Sequence, residues 1–226
     1  MKAFISQNAD KRILDSLISK GFDVTPLAPF SALESPVETH TDMLLCTADN
    51  LLFIHKDYLF NTNDFDKIIE IDEAISSKYP NDVLLNIAVV GKNVFCNTKY
   101  ASKTILTHLN ENGYTVNHVA QGYAHCSICI VSQCAIITAD KGIYNTAHSI
   151  GIDALLISEG HISLDPYEYG FIGGATGATN DAVYFCGSLR HHPDGEKMRT
   201  FIENHGKSVI ELCDAPICDV GGILFK

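Results

Sequence analysis

Residues 82–96 read DVLLNIAVVGKNVFC. Two runs of Val, Leu, Ile, Phe and Cys flank Gly91-Lys92-Asn93, the pattern of a tight β-hairpin. Successive positions in both runs are apolar, so these strands are expected to be buried on both faces. Just downstream, Tyr100–Asn112 carries Ile105, Leu106 and Leu109 at helical spacing, with Gly113 as its stop. Tyr114–Val119 then reads as a third short strand. The whole stretch predicts one β-β-α-β unit.

Working outward from it, the same unit recurs. Hairpins are expected at Asp42–Ile54, Ser127–Thr138 and Gly170–Cys186, turning at Asp49-Asn50, Ser132-Gln133 and Thr179-Asn180-Asp181. Helices at Lys141–Ile150 and Asp194–Asn204, stopped by Gly151 and Gly206, lead to strands Ala154–Ile157 and Val209–Leu212. After the first hairpin only a short helix near Asp57–Phe60 is expected before a strand at Ile68–Ile71, and Ile68–Ile75 reads as well as a helix. A fifth unit is split between the chain ends: Lys2–Ile5, helix Asp10–Lys20 and Val24–Leu27 at one end, Asp219–Phe225 at the other. The first strands begin at Asp42, Asp82, Ser127, Gly170 and Asp219, spaced 40, 45, 43 and 49 residues, with 49 more through the chain ends. Near-equal periods that return to their origin predict a closed ring, since an open solenoid needs distinct polar caps. Pairing of Met1–Ile5 with Gly222–Phe225 would close it. The expected fold class is α/β, a five-unit propeller, with residues 1–226 as one domain.

Composition narrows the function classes. With 46% hydrophobic and 19% charged residues, the chain has the makings of a packed core. Its 16 Lys and Arg against 27 Asp and Glu, a formal net charge of -11, form no basic stripe, which argues against a nucleic-acid partner. No basic segment followed by an apolar run opens the chain, and nothing approaches the roughly 20 apolar residues that span a bilayer. A soluble, cytoplasmic protein without a membrane partner is therefore expected. The eight cysteines lie mostly inside apolar runs and read as reduced core thiols rather than a disulfide framework. Cys126 and Cys129 form a lone CxxC on an expected strand, where positions three apart face opposite ways, so neither zinc nor a redox pair is expected and Cys129 reads as core.

The five-unit pattern resembles the pentein fold of the guanidine-modifying enzymes, among them arginine and agmatine deiminases, dimethylarginine dimethylaminohydrolase and the amidinotransferases. More closely, HTDM (40–43), YPNDVLLNIAVVGK (79–92) and QGYAHCSICIV (121–131) resemble a small bacterial family that carries this fold and has no settled function. The superfamily's chemistry uses a cysteine thiolate on the guanidinium carbon, a histidine as acid and base, and carboxylates that hold the cation. It implies no cofactor and no metal.

On that resemblance, His40-Thr41-Asp42 matches a His-x-Asp motif, with His40 as acid and base and Asp42 as a cation ligand. Alternation along a strand would put both on one side. Gly122-Tyr123-Ala124-His125-Cys126 resembles the Gly-x-x-His-Cys segment around the nucleophile, two units beyond the His-x-Asp unit as in the family. Asp219, before Gly221-Gly222, resembles an orienting acid, although paired glycines also mark bulges. Asn81, Asp82 and Glu168 are further substrate-binding candidates, and strand-start acids also serve as solvated loop residues. Cys126 as a core residue and Cys218 as the rival nucleophile both remain open. Gly173-Gly174 and Gly177 lack the strand-to-helix setting of a phosphate loop.

The chain also departs from the pattern. Arg12, Arg190 and Arg199 are its only arginines, none at a strand start, so the clamp for an amino-acid carboxylate is missing. At this length little room is expected for covering loops. The sequence therefore points to a hydrolase or transferase acting on a small cationic guanidine- or amidine-type substrate through Cys126. The alternative is a non-catalytic partner-binding protein, since the same architecture serves a translation initiation factor. The oligomeric state is not legible.

Overall fold

Each unit is organised around its middle strand. The computed structural model describes residues 1–226. It opens with β1 (Lys2–Ser6), α1 (Lys11–Ser19) and β2 (Asp23–Leu27). A helical turn, α2 (Thr41–Leu44), leads into β3 (Leu45–Ala48), β4 (Leu51–His55) and β5 (Lys67–Ile71). The second unit is β6 (Ala88–Val90), β7 (Asn93–Cys96), α3 (Lys103–Glu111) and β8 (Thr115–His118). The third is β9 (Cys129–Ser132), β10 (Ala135–Thr138), α4 (Lys141–Ser149) and β11 (Asp153–Leu156). The fourth is β12 (Thr176–Ala178), β13 (Ala182–Phe185), α5 (Gly195–Asn204) and β14 (Ser208–Glu211), after which β15 (Leu224–Phe225) returns to β1.

Five three-stranded sheets result, ordered β15-β1-β2, β3-β4-β5, β6-β7-β8, β9-β10-β11 and β12-β13-β14. In each, the middle strand is antiparallel to the strand before it and parallel to the strand after it. Parallel neighbours require a crossover, which α1, α3, α4 and α5 supply in four units. Burial follows the same order. Phe4, Phe53, Phe95, Ile137 and Phe185 on the middle strands are at most 1% exposed, whereas the third strands keep solvated positions. The expected ring closure is present: Ala3 pairs with Phe225 and Phe4 with Leu224, flanked by Lys2 N–H donating to Lys226 O at 2.6 Å.

Local chemistry accounts for the helix ends. Asp10, Ser102 and Asp140 accept backbone N–H groups of Arg12, Ile105 and Ile143, capping otherwise unpaired donors. Beyond each C-terminus, Gly21, Gly113, Gly151 and Gly206 take φ between 75° and 86°, where a side chain would be strained.

Two expectations need correction. The first unit has no helix near Asp57–Phe60; its chain turns after β4 and runs irregularly to β5, and Ile68–Ile71 is strand rather than helix. The segment Asp57–Phe65 is held instead by an aromatic cluster of Phe4, Tyr58, Phe60 and Phe65. The first strands also begin later than expected, at Leu45, Ala88, Cys129, Thr176 and Leu224. The residues ahead of them form turns; Asp219 Oδ1 accepts Gly221 N–H within its own turn, and Asn86 bonds across to Asp42 O and Cys126 N–H in the turns of other units. No helix is long and apolar enough to cross a membrane.

Ending the chain at Ile223 removes the antiparallel partner of β1 and the ring contacts of Phe225 with Phe22 and Tyr184. The expected cost is about 2–4 kcal/mol, read as a lowered urea midpoint; an unchanged midpoint would show that β1 needs no such partner.

Candidate active site

The turns that precede the first strands bring together residues far apart in sequence. A cavity of about 220 Å³ is lined by His40 and Met43 from the first unit, Tyr123 and Cys126 from the third, Phe171 from the fourth and Asp219 from the fifth. Residues 164–169 cover it with Leu164, Tyr167, Glu168 and Tyr169. A larger cavity of about 690 Å³, between residues 28–32, 55–59 and 72–75, holds none of the residues singled out by sequence.

Cys126 is 4% exposed. Asn86 holds it: the amide Nδ2 donates to Cys126 Sγ at 2.9 Å and to Asp42 O at 3.2 Å, while Oδ1 accepts His125 N–H at 2.7 Å and Cys126 N–H at 3.2 Å. One amide thus ties three units together at the thiol. Burial, then the neighbouring carboxyls of Asp42 and Asp219, push the thiol well above the range of a free cysteine, and only the Asn86 amide pulls the other way.

His40 stands at the N-terminal boundary of α2, makes no capping bond with its side chain, and is likewise buried. Its Nδ1 lies 3.8 Å from Asp219 Oδ1, beyond hydrogen-bond distance. Burial pushes the imidazole down to about 4, so the pair is not an ion pair at neutral pH; Asp219 is placed to stabilise the imidazolium once a proton arrives. Asp219 accepts Phe171 N–H at 2.8 Å and Gly221 N–H at 2.9 Å, yet burial still raises its carboxyl to about 6. A Cβ at Gly174 would overlap that carboxyl, and one at Gly221 would overlap His40. These glycines serve close packing of the site, not phosphate.

Asp42 departs from expectation. Because Thr41–Leu44 is a helical turn and His40 stands just before it with extended backbone, His40 and Asp42 do not alternate along one strand face. His40 faces the cavity of Cys126, and Asp42 borders a second one of about 180 Å³ on the axis. Its carboxyl remains electrostatically coupled to the thiol and to Asp219; burial first, then Asp219, hold it well above the usual carboxylate range. Asp82 is buried behind Tyr123, whose hydroxyl donates to Oδ2 at 2.6 Å. Asn81 is exposed and lines neither cavity. Glu168 is exposed at the rim. Cys218 lines neither cavity and packs against the cluster of Ala3, Ile5 and Ile13. Cys129 lies in the core, as expected.

Sequence reasoning missed Asn86, although a lone amide inside the apolar run LLNIA was a signal. It missed the aromatic wall of Tyr123, Tyr167, Tyr169 and Phe171, which no spacing rule marks. It also allowed too little for cover: residues 157–171 are irregular, and their second half, residues 164–169, covers the cavity and latches across it through Tyr167 Oη donating to Glu34 Oε2 at 3.1 Å. No Lys or Arg lines the cavity, so its charge is set by acids alone.

Residues 4–224 match a family described as "Family of unknown function (DUF6873)". A search of curated proteins finds no match. Among solved structures, a DDAH from Pseudomonas aeruginosa, a mutant complexed with citrulline, aligns with a TM-score of 0.57 at 10% identity, over 93% of this chain and 91% of its own. An agmatine deiminase from C. jejuni gives 0.54 at 11%, over 93% and 86%. An amidinotransferase from Microseira wollei, of the saxitoxin biosynthetic pathway, gives 0.51 at 10%, over 93% and 78%. At these identities the likeness concerns the fold, which is the pentein fold that the repeat pattern resembled.

Three outcomes are expected. In NMR titrations the His40 and His125 rings stay neutral from about pH 8 to pH 5, since burial holds both at about 4. Their neutral burial lowers stability as pH falls from 6.5 toward 4, because the unfolded chain takes up protons first. A ring titrating near 6.5 would contradict the sealed geometry. Gly174→Ala should displace the Asp219 carboxyl and cost about 1–3 kcal/mol, measured by urea unfolding.

Proposed function

Because the chain belongs to DUF6873, a family of unknown function, the site itself has to suggest the chemistry, and we propose cleavage of a C–N bond in a guanidine or amidine cation through a covalent Cys126 intermediate. The observation that carries this proposal is the convergence of Cys126, His40 and Asp219 on one cavity that acids line and no cation enters. The fold's likeness to a DDAH, an agmatine deiminase and an amidinotransferase supports the same class.

In the proposed sequence His40 takes the Cys126 proton and the thiolate attacks the amidino carbon. Collapse breaks the C–N bond as the imidazolium returns that proton to the leaving nitrogen. A water deprotonated by His40, or an acceptor amine, then adds to the thiouronium carbon and expels the thiolate. Asp219 stabilises the imidazolium, and Asp42, coupled to the thiol, adds negative charge beside the cationic head. Asp82 steadies Tyr123, and Glu168 attracts the cation at the rim. Substrate charge has a further task. Of the groups around Cys126 only the Asn86 amide favours thiolate, so the bound cation supplies the positive charge that lowers the thiol's proton affinity. Eight free thiols suit a reducing, cytoplasmic setting, with residues 1–226 acting as one domain. The same unfavoured thiolate is the one observation that suits a non-catalytic binding protein instead.

Turnover of a small guanidine panel decides the matter. Cys126→Ala should abolish it, His40→Gln should reduce kcat by about 10²–10⁴, and Cys218→Ala should leave most of it. Alkylation of Cys126 in the free protein should show an apparent pKa above that of a free thiol, and the ultraviolet thiolate titration should move down when guanidinium chloride is bound. A thiolate titration that guanidinium leaves unmoved, together with absence of turnover, would favour the binding protein.

A further inference from the structure

The cavity at Cys126 changes character between its floor and its roof. His40, Cys126 and Asp219 form a buried end. Toward the rim the lining passes to Val37, Tyr123, Leu164, Tyr169 and Phe171, all half-buried and all apolar or aromatic. The rings lean on one another: Tyr123 stacks on Phe171 with centroids 6.1 Å apart and planes at 26°, and Tyr169 meets Phe171 edge-on at 6.4 Å. The Tyr123 and Tyr167 hydroxyls are committed to Asp82 Oδ2 and Glu34 Oε2, so neither has its proton free for a ligand. Phe171 also joins the two ends of the cavity, because its N–H donates to Asp219 Oδ2 at 2.8 Å while its ring stands at the centre of the wall. No Lys or Arg stands along this passage, and its one charged rim residue is the acid Glu168.

We propose that the substrate's cationic head carries an uncharged, apolar substituent of up to benzyl size, and that Phe171, Tyr123 and Tyr169 select it. The inference rests on a guanidine or amidine head binding beside Cys126 and adds what the rest of the molecule must be. Size sets one bound: an apolar cavity of about 150 Å³ takes a benzene, so a cavity of about 220 Å³ holds such a ring together with a small planar head and little more. Charge sets the other. A carboxylate tail would give up water with no cation to receive it and would face Glu168. An ammonium tail would meet Glu168 only at the exposed rim, where water screens the pair until it is worth little. An apolar tail instead withdraws its own surface and that of the half-buried wall from water, and a ring adds the favourable edge and face contacts of aromatic pairs.

Isothermal calorimetry on the full chain carrying Cys126→Ser, in which turnover is blocked, tests it with guanidinium, benzylguanidine, guanidinobutyrate, agmatine and benzylurea. Benzylguanidine should bind about 10–100-fold more tightly than guanidinium, and guanidinobutyrate and agmatine no more tightly than guanidinium. Thermal shifts of the unmodified chain should follow the same order. Phe171→Ala should cut the benzyl advantage by about 3–10-fold while leaving affinity for guanidinium itself within about twofold. Should that variant not fold, Tyr169→Ala, in the covering segment, should cut the advantage in the same direction and Tyr169→Phe should restore it. Benzylguanidine binding no better than guanidinium, or guanidinobutyrate or agmatine binding better than benzylguanidine, would overturn this inference while leaving the guanidine reading intact. An unaltered benzyl advantage in both Phe171→Ala and Tyr169→Ala would remove the wall as its cause. Benzylurea binding as tightly as benzylguanidine, or no guanidine binding at all, would overturn the guanidine reading and this inference with it.

Discussion

The Asn86 carboxamide is the joint on which the centre of this molecule depends. One side chain from the second unit donates to the thiol of the third and the backbone carbonyl of the first, and accepts two N–H groups from the third. A buried amide satisfied on both of its ends fixes orientation more tightly than apolar contact does, because each lost bond leaves an unpaired group in a dry interior. The thiol's position is therefore set by the assembly of the ring rather than by its own loop. Bonds from other units complete the arrangement: Gly174 N–H donates to Cys126 O, and Val220 and Gly222 N–H groups donate to Gly174 O.

Around this joint the electrostatics are one-signed. Asp42, Asp219 and the thiol share a space without a Lys or Arg; Asp219 makes ionisation of Asp42 harder, and both carboxyls make ionisation of the thiol harder. His40 and His125 respond to burial alone, which favours their neutral form. An interior of this kind is poised for positive charge from outside. The acids are retained at a cost in stability that packing elsewhere must offset.

The repeat was legible in sequence because each unit marks itself with punctuation that has a physical cause: glycine stops, two-residue turns and doubly apolar strands. Cys126, His40 and Asp219 could be picked out by their place in the unit. What period-2 reasoning could not foresee was that each strand start is converted into a turn. That conversion sends Asp42 away from His40 and leaves Asn81 on the surface. The aromatic wall was illegible for another reason: Tyr167 and Tyr169 belong to no repeat, and their meeting with Phe171 and Tyr123 depends on how an irregular segment drapes over the ring.

The glycine pair of the fourth unit has a consequence for how such a site can diversify. Position 173 is walled in by the carbonyls of His125, Cys126 and Ile128, and position 174 by the Asp219 carboxyl. Neither can acquire a functional group without dislodging a neighbour, so this turn contributes space where the other four contribute side chains. Inherited variation that retunes what the cavity accepts is thereby channelled into Leu164, Tyr167, Glu168 and Tyr169 of the covering segment, which line the cavity from the outside. Selection can rewrite the roof of this chamber while its floor stays closed to innovation.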